Sequence, residues 1–332
     1  MSDGVEKAPF EDEIEGFLKF KRDMGFKYVK EEGLLRLFSR FCGERGWDGP
    51  DLTEEIVEAW CAKWPHESER GGGGHASRVT LIRQFGLYLS ALGRDVYFPM
   101  NVAHNMSRHS RFVAYVFTRD EIGRILDASD RICPHRCSTR HLVLPTLLRL
   151  LYSSGTRIGE TLSIKMRDVD LENGVIRMEN AKGGKVRLVA LSDTMAEVLR
   201  EFCSILHSDP KPDDFLVCNV VGGRYNNQTI YNRFRTVLMD AGIPHGGRGA
   251  GPRVHDIRHA FSCHALMRAS EAGEDVMAIL PVLSEYLGHE SARETGVYLR
   301  MTAEVYPDVM KLVERACSRV IPEVIGDEQG TY

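Results

Sequence analysis

The sequence has no apolar run near the roughly 20 residues that a membrane-spanning helix needs, so no membrane segment is expected in its 332 residues. Its first residues, Met1 to Glu6, lack the basic and apolar regions of a secretory signal, and a cytoplasmic chain is expected. A disulfide framework is missing too. The eight cysteines (42, 61, 133, 137, 203, 218, 263 and 317) fall at scattered spacings and read as reduced thiols. Cys133, His135, Cys137 and His141 are zinc-ligand types. Yet their cysteine gap is wider than CxxC and no second cysteine pair follows, so a basic surface loop without metal is expected. The tetraglycine Gly71 to Gly74 is followed by no Lys-Ser or Lys-Thr and makes no phosphate loop. Nor is there a net positive charge. The balance of 43 Lys and Arg against 47 Asp and Glu, −4, argues against indiscriminate nucleic-acid binding but allows a locally basic surface.

What is present is an ordinary globular composition, 43% apolar and 27% charged. The length suits two domains, since one core rarely serves beyond about 250–300 residues. Charge is unevenly spread. Acids gather before residue 70, at Glu11, Asp12, Glu13 and Glu15 and again at Glu54, Glu55 and Glu58. From Arg70 to Arg111 there are six arginines against Asp95 alone.

Periodicity divides the chain further. Residues 1–9 read as a disordered tail, and 10–93 as an all-α domain of four helices. These start near Phe10, run from Glu31 to Arg45, from a capping box Asp51-Leu-Thr-Glu54 to about Trp64, and from Ala76 to Leu92, with Gly71 to Gly74 as a turn. Residues 94–116 form a basic linker. A second domain, 117–320, opens on the capping box Thr118-Arg-Asp-Glu121, followed by a buried helix from Leu142 to Tyr152 that Gly155 ends. The period then changes to that of strands at Asp168–Leu171, Val175–Glu179 and Val186–Leu191, a three-stranded antiparallel meander. Helices resume at about 193–206 and 227–241, with a strand-like piece Phe215–Cys218 between them, and a last amphipathic helix covers about 306–320 before a tail, 321–332. The fold class is therefore mainly α with a small antiparallel sheet.

The chemistry concentrates between Val254 and Arg300. His255, Arg258, His289 and Tyr298 can clamp a phosphodiester, shuttle a proton and supply an oxygen nucleophile without metal. A phosphodiester under attack gathers charge on its non-bridging oxygens, and one fixed donor there supplies roughly 2.7–4 kcal/mol. Arginine suits that task because its planar fork binds two oxygens and stays charged. A phenol, with an ordinary pKa of about 10, needs help to attack. Nearby arginines favour the phenolate, and His255 can take or relay its proton.

The segments Gly155-Thr-Arg157-Ile-Gly-Glu160, Ala181-Lys-Gly-Gly-Lys185, His255-Asp-Ile-Arg258-His259 and Leu287-Gly-His289, with Tyr298 nine residues on, occur in the order and spacing of one family. In about residues 117–315 the chain resembles the tyrosine recombinases, the phage-integrase-type site-specific recombinases. The resemblance implies that Arg157 and Arg258 clamp the phosphate, His289 hydrogen-bonds it, and Tyr298 attacks to leave a 3′-phosphotyrosine and a free 5′-hydroxyl. Tyr286 and Tyr306 do not sit at the family's spacing. The resemblance also implies that Lys182, with Lys185 as the neighbouring alternative, gives the leaving oxygen its proton. His259 matches a structural position. No cofactor is implied.

The partners implied are duplex DNA with specific sites, further copies of the chain (a tetramer on DNA, the last helix docking in trans) and an accessory directionality factor. No membrane partner is expected, and nucleoid association is. The helical domain matches the family's core-binding domain in position and size, so the two domains are expected to clamp duplex DNA. Arg78 and Arg83, with Arg108 and Arg111 in the linker, are the expected DNA contacts outside the catalytic centre. The activity implied is strand exchange for a mobile element, of integrase or transposase type. The other readings are a type IB topoisomerase-like relaxing enzyme and a catalytically idle DNA-binding accessory protein. From Arg258 to His289 the chain spends 31 positions (289 − 258), more than compact members, and Ala269 to Pro281 reads as an inserted surface loop.

Overall fold

A computed structural model describes residues 8–47, 49–62, 64, 73–99, 114–179, 186–246, 251–289 and 298. The chain divides into two compact units, Met1–Phe112 and Val113–Tyr332. Among the described residues no helix is long and apolar enough to cross a membrane.

Among the described residues of the first unit, four helices, α1 (Glu11–Asp23), α2 (Val29–Glu44), α3 (Glu54–Cys61) and α4 (Gly73–Ala91), surround an aromatic core. Phe17 meets Phe85 edge-on with centroids 5.5 Å apart, and Phe38 meets Trp60 likewise at 5.3 Å. Three expectations need correction here. The capping box at Asp51 does not form: Thr53 is the N-cap, without a side-chain bond, and the Asp51 carboxylate instead accepts from the Asp95 backbone N–H at 3.0 Å. The helix it precedes stops at Cys61 rather than Trp64. Gly73 and Gly74 are not a turn but the first residues of α4.

A fourth correction concerns Arg78. It is 2% exposed and cannot serve as a surface cation. Its Nε and Nη2 donate to the carbonyls of Trp60 (3.1 Å) and Ala62 (2.7 Å), and its guanidinium lies 3.8 Å over the Trp64 ring. A cation at the carbonyl end of α3 meets the negative pole of that helix, which explains its burial. Arg83 is half-buried and donates to the Pro99 carbonyl.

The second unit is built around α6 (Arg140–Ser154), preceded by α5 (Arg119–Asp130). Val143, Leu144, Leu147, Leu148, Leu150 and Leu151 are all buried along α6, so it needs neighbours on several sides. It packs on α5, on α8 (Asp193–Leu206) and on α10 (Asp256–Glu271). The capping box at α5 is complete: Thr118 Oγ1 accepts from the Glu121 N–H, and Glu121 Oε2 accepts from the Thr118 N–H. A single helical turn, α7 (Ile158–Thr161), leads to the antiparallel meander β1 (Val169–Asp170), β2 (Val175–Met178) and β3 (Arg187–Ala190). Val175 pairs with Ala190 and Met178 with Arg187. Residues 215–218 form no strand, only isolated bridges of Phe215 to Lys165 and Cys218 to Arg224. After α9 (Asn227–Asp240), α10 is followed by α11 (Val276–Leu287).

The inserted loop expected at Ala269 to Pro281 is mostly helix. Only Ala272 to Asp275 lie between α10 and α11, and Pro281 is inside α11. The apolar residues Val276, Leu280, Leu283 and Leu287 pack with Cys263 and Leu266 of α10, which is why the segment coils rather than loops. Cys133 and Cys137 are exposed, and the His135 ring accepts from the Cys137 N–H at 3.2 Å. The expected helix at 306–320 lies outside the described residues.

Candidate phosphate site

Gly155 starts the construction. It ends α6 in the left-handed region, at φ 61°, where a side chain is disfavoured. A Cβ there would lie 2.3 Å from Phe261 Cδ1 and 3.0 Å from Leu287 Cδ2. The missing side chain thus lets the turn between α6 and α7 touch both α10 and α11.

Arg157 follows as the N-cap of α7. A buried hydroxyl chain supports it: Ser154 to Thr156 (3.0 Å), Thr156 to Thr161 (2.7 Å), and Thr161 to the Arg157 carbonyl (3.0 Å). Its Nη1 donates to Glu160 Oε1 at 2.8 Å, and its Nη2 reaches the Gly288 carbonyl at 3.4 Å. Glu160 is buried, which alone would raise its pKa. Hydrogen bonds from Arg187 and Arg157 outweigh that and hold the carboxyl below its ordinary range.

Arg258 comes from the first turn of α10 and is 2% exposed. Nη1 donates to the Gly155 carbonyl at 2.8 Å; Nη2 donates to the Leu287 carbonyl and to His289 Nε2, each at 2.9 Å. Burial lowers its pKa, with the adjacent Tyr298 phenol acting in the opposite sense. These bonds use three of the five guanidinium N–H groups, and the Tyr298 phenol also hydrogen-bonds with the same guanidinium.

His289 follows Gly288, which closes α11 at φ 65°. Its ring stacks on Tyr298 with centroids 5.7 Å apart and planes 22° from parallel. Because arginine can only donate, His289 Nε2 must be the acceptor and Nδ1 carries the proton. Tyr298 is 4% exposed and also meets His259, at 5.5 Å. His255 meets His259 edge-on at 4.9 Å. Burial, reinforced by neighbouring cations, lowers His255, His259 and His289 to about 4 each. All three are therefore neutral near pH ~7, able to accept a proton.

Five predicted residues thus meet: Arg157, His255, Arg258, His289 and Tyr298. His255 reaches the tyrosine through His259, which the sequence reading kept out of the site. Lys182, Lys185, Arg108 and Arg111 lie outside the described residues. Two members were missed. Glu160 stands three residues after Arg157 in the same motif. Arg187 sits in a strand whose two alternating faces both carry apolar residues, so its inward phase left no signal.

Arg157, Arg187 and Arg258 all converge on the last turn of α11, against one carboxylate. The carbonyl end of a helix offsets part of that positive charge. The remainder is suited to an anion.

Comparison with known proteins agrees with that geometry. The sequence profile of the phage integrase family matches residues 115–304, more than half of the chain. A protein of Sinorhizobium fredii named as the integrase/recombinase y4rB is 29% identical over 318 residues, 93% of this chain and 98% of the relative. The tyrosine recombinase XerA of Thermococcus kodakarensis is 31% identical over 219 residues, 65% of this chain and 67% of the relative. Among solved structures, a lambda integrase tetramer bound to a Holliday junction shares the fold, with a TM-score of 0.61 at 16% identity, over 89% of this chain and 78% of that one.

Proposed function

Because this chain belongs to the phage integrase family, we propose that it is a site-specific recombinase that cuts and rejoins duplex DNA through Tyr298. The observation that supports this most is the Arg258 contact set, which holds His289 and lies against the Tyr298 phenol in one buried centre.

The residues divide the work by their chemistry. Arg157 and Arg258, with the Nδ1–H of His289, hold the non-bridging oxygens of the scissile phosphate. The Tyr298 oxygen attacks phosphorus as its proton passes to a neutral histidine, His255 directly or by way of His259. The bond from phosphorus to the 5′-oxygen breaks, and Lys182 gives that oxygen its proton. A 3′-phosphotyrosine and a free 5′-hydroxyl result. Attack by a 5′-hydroxyl of another strand reverses these steps and reseals the backbone, so no external energy source is needed.

Strand exchange would follow assembly of four copies on paired sites, as integrases of mobile elements require. An accessory directionality factor and docking of the segment after Tyr298 in trans belong to this reading. Arg83, Arg108 and Arg111 serve as additional phosphate contacts, and salt should weaken binding steeply. The test is covalent trapping on a nicked suicide duplex carrying a candidate site. Wild type should form a protein–DNA adduct and Tyr298→Phe none. An adduct that persists in Tyr298→Phe would refute the nucleophile, and cleavage without exchange between two sites would mark a relaxing enzyme instead.

A further inference from the structure

β3 carries an arginine in a position where a strand normally buries an apolar side chain. Arg187 shares its face with Val189, which is fully buried, while Leu188 between them is 64% exposed. The Arg187 side chain is itself only 10% exposed. Its Nη2 donates to Glu160 Oε2 at 2.8 Å, while the other oxygen of that carboxylate, Oε1, takes Arg157 Nη1 at 2.8 Å. Its Nε and Nη1 are buried and have no hydrogen-bond partner among the described residues. Nη1 lies beneath Gly288, where a Cβ would come within 2.9 Å of it and 3.2 Å of Arg187 Cδ.

Two physical arguments follow. A carboxylate with both oxygens available takes an arginine fork in two parallel bonds. Arg187 occupies Oε2 of Glu160, so Arg157 keeps a single side-chain bond to it and extends Nη2 toward Gly288. Second, buried charged donors without acceptors are costly and tend to persist where the charge itself is used. Such donors sit here directly under the turn that presents His289.

We infer that Arg187 is a positioning residue for phosphoryl transfer: it keeps the Arg157 fork from collapsing onto Glu160 and seats the Gly288–His289 turn. It does not touch the phosphate, since Nε and Nη1 have no exposed surface. The inference rests on the function proposed above.

The test compares single-turnover adduct formation by the full chain, wild type against Arg187→Met, on two nicked suicide duplexes. One has an ordinary scissile phosphate and the other a methylphosphonate, which lacks the charge that the arginine clamp holds. On the ordinary duplex Arg187→Met should slow cleavage on the order of 100-fold, the effect of an ångström-scale misplacement, with DNA affinity little changed. On the methylphosphonate the gap to wild type should largely close. Combining Arg187→Met with Glu160→Gln should cost no more than Arg187→Met alone, because the two act through one contact.

Equal rates for Arg187→Met and wild type on the ordinary duplex would overturn the inference. So would an equal loss on both duplexes, the mark of a purely structural role. Should Arg187→Met fail to fold, Arg187→Gln, which keeps a polar side chain without the charge, is judged by the same narrowing between substrates. A wild-type chain that forms no adduct overturns the proposed function and this inference with it. Failure confined to the variants overturns the inference alone.

Discussion

Arg258 and His289 are joined by a 2.9 Å bond from Nη2 to Nε2, so the arginine makes Nε2 the acceptor and leaves the proton on Nδ1. The same guanidinium satisfies two buried carbonyls, Gly155 and Leu287.

Arg258→Lys should therefore fail twice. An ammonium lacks the fork that reaches all three acceptors, and each buried group left unpaired costs about 1–3 kcal/mol. Calorimetry should show a melting temperature lower by several degrees, and covalent trapping should show no adduct. A variant that melts like wild type would mean that the two carbonyls do not depend on this side chain.

Gly155→Ala should also destabilise the second unit. The new methyl would overlap Phe261, whose Cδ1 lies 2.3 Å from the Cβ position, at a backbone φ of 61°. The left-handed conformation and the overpacking together should cost roughly 2–5 kcal/mol. Denaturant titration with an unchanged slope measures it directly.

Stability should depend on the histidines in mildly acidic solution. Burial and adjacent cations hold His255, His259 and His289 at about 4; in the unfolded chain they titrate near pH ~6.5. Between these values the unfolded state binds more protons, so stability falls as pH falls through that window. Glu160 acts lower. Its carboxyl is held below the ordinary range, so its contribution is present above the unfolded value and lost as pH drops through the folded one. Thermal melts should be level above pH ~7 and decline from about 6.5 downward. A melting temperature unchanged down to pH ~5 would show that these histidines titrate normally.

Arg78→Met should weaken the first unit without altering the salt dependence of DNA binding. The arginine is buried, and its loss leaves the Trp60 and Ala62 carbonyls unpaired, costing about 1–3 kcal/mol each. A true phosphate contact would instead lower the slope of log affinity against log salt by about 0.9. Arg83→Met, measured in parallel, reports on the neighbouring half-buried arginine.

What could be read beforehand follows a physical rule. Thr118 and Gly155 were legible because capping boxes and left-handed helix ends are local chemistry, decided by a few adjacent residues. Asp51 misled because its carboxylate was claimed by Asp95, 44 positions away. Arg78 looked like a surface cation because a basic stretch says nothing about which arginine a helix end will bury. The five candidate residues that meet in the fold were legible as one ordered motif set, whereas Arg187 was not: its burial depends on which face of β3 turns inward, a tertiary choice. The segment Ala269 to Pro281 read as a loop from Gly273, its acids and its proline, but packing against α10 decided otherwise.

The contact between Gly155 and Phe261 bears on how the protein meets its substrate. Arg157 stands two residues from Gly155, and Arg258 donates to the Gly155 carbonyl. Both arginines, the two arms of the proposed phosphate clamp, are thereby tied to one backbone position, wedged against α10 and α11. Their spacing is set when the chain folds, before any DNA arrives. In the reaction proposed above, association would then spend little free energy on arranging them, leaving more of the binding energy for the transition state.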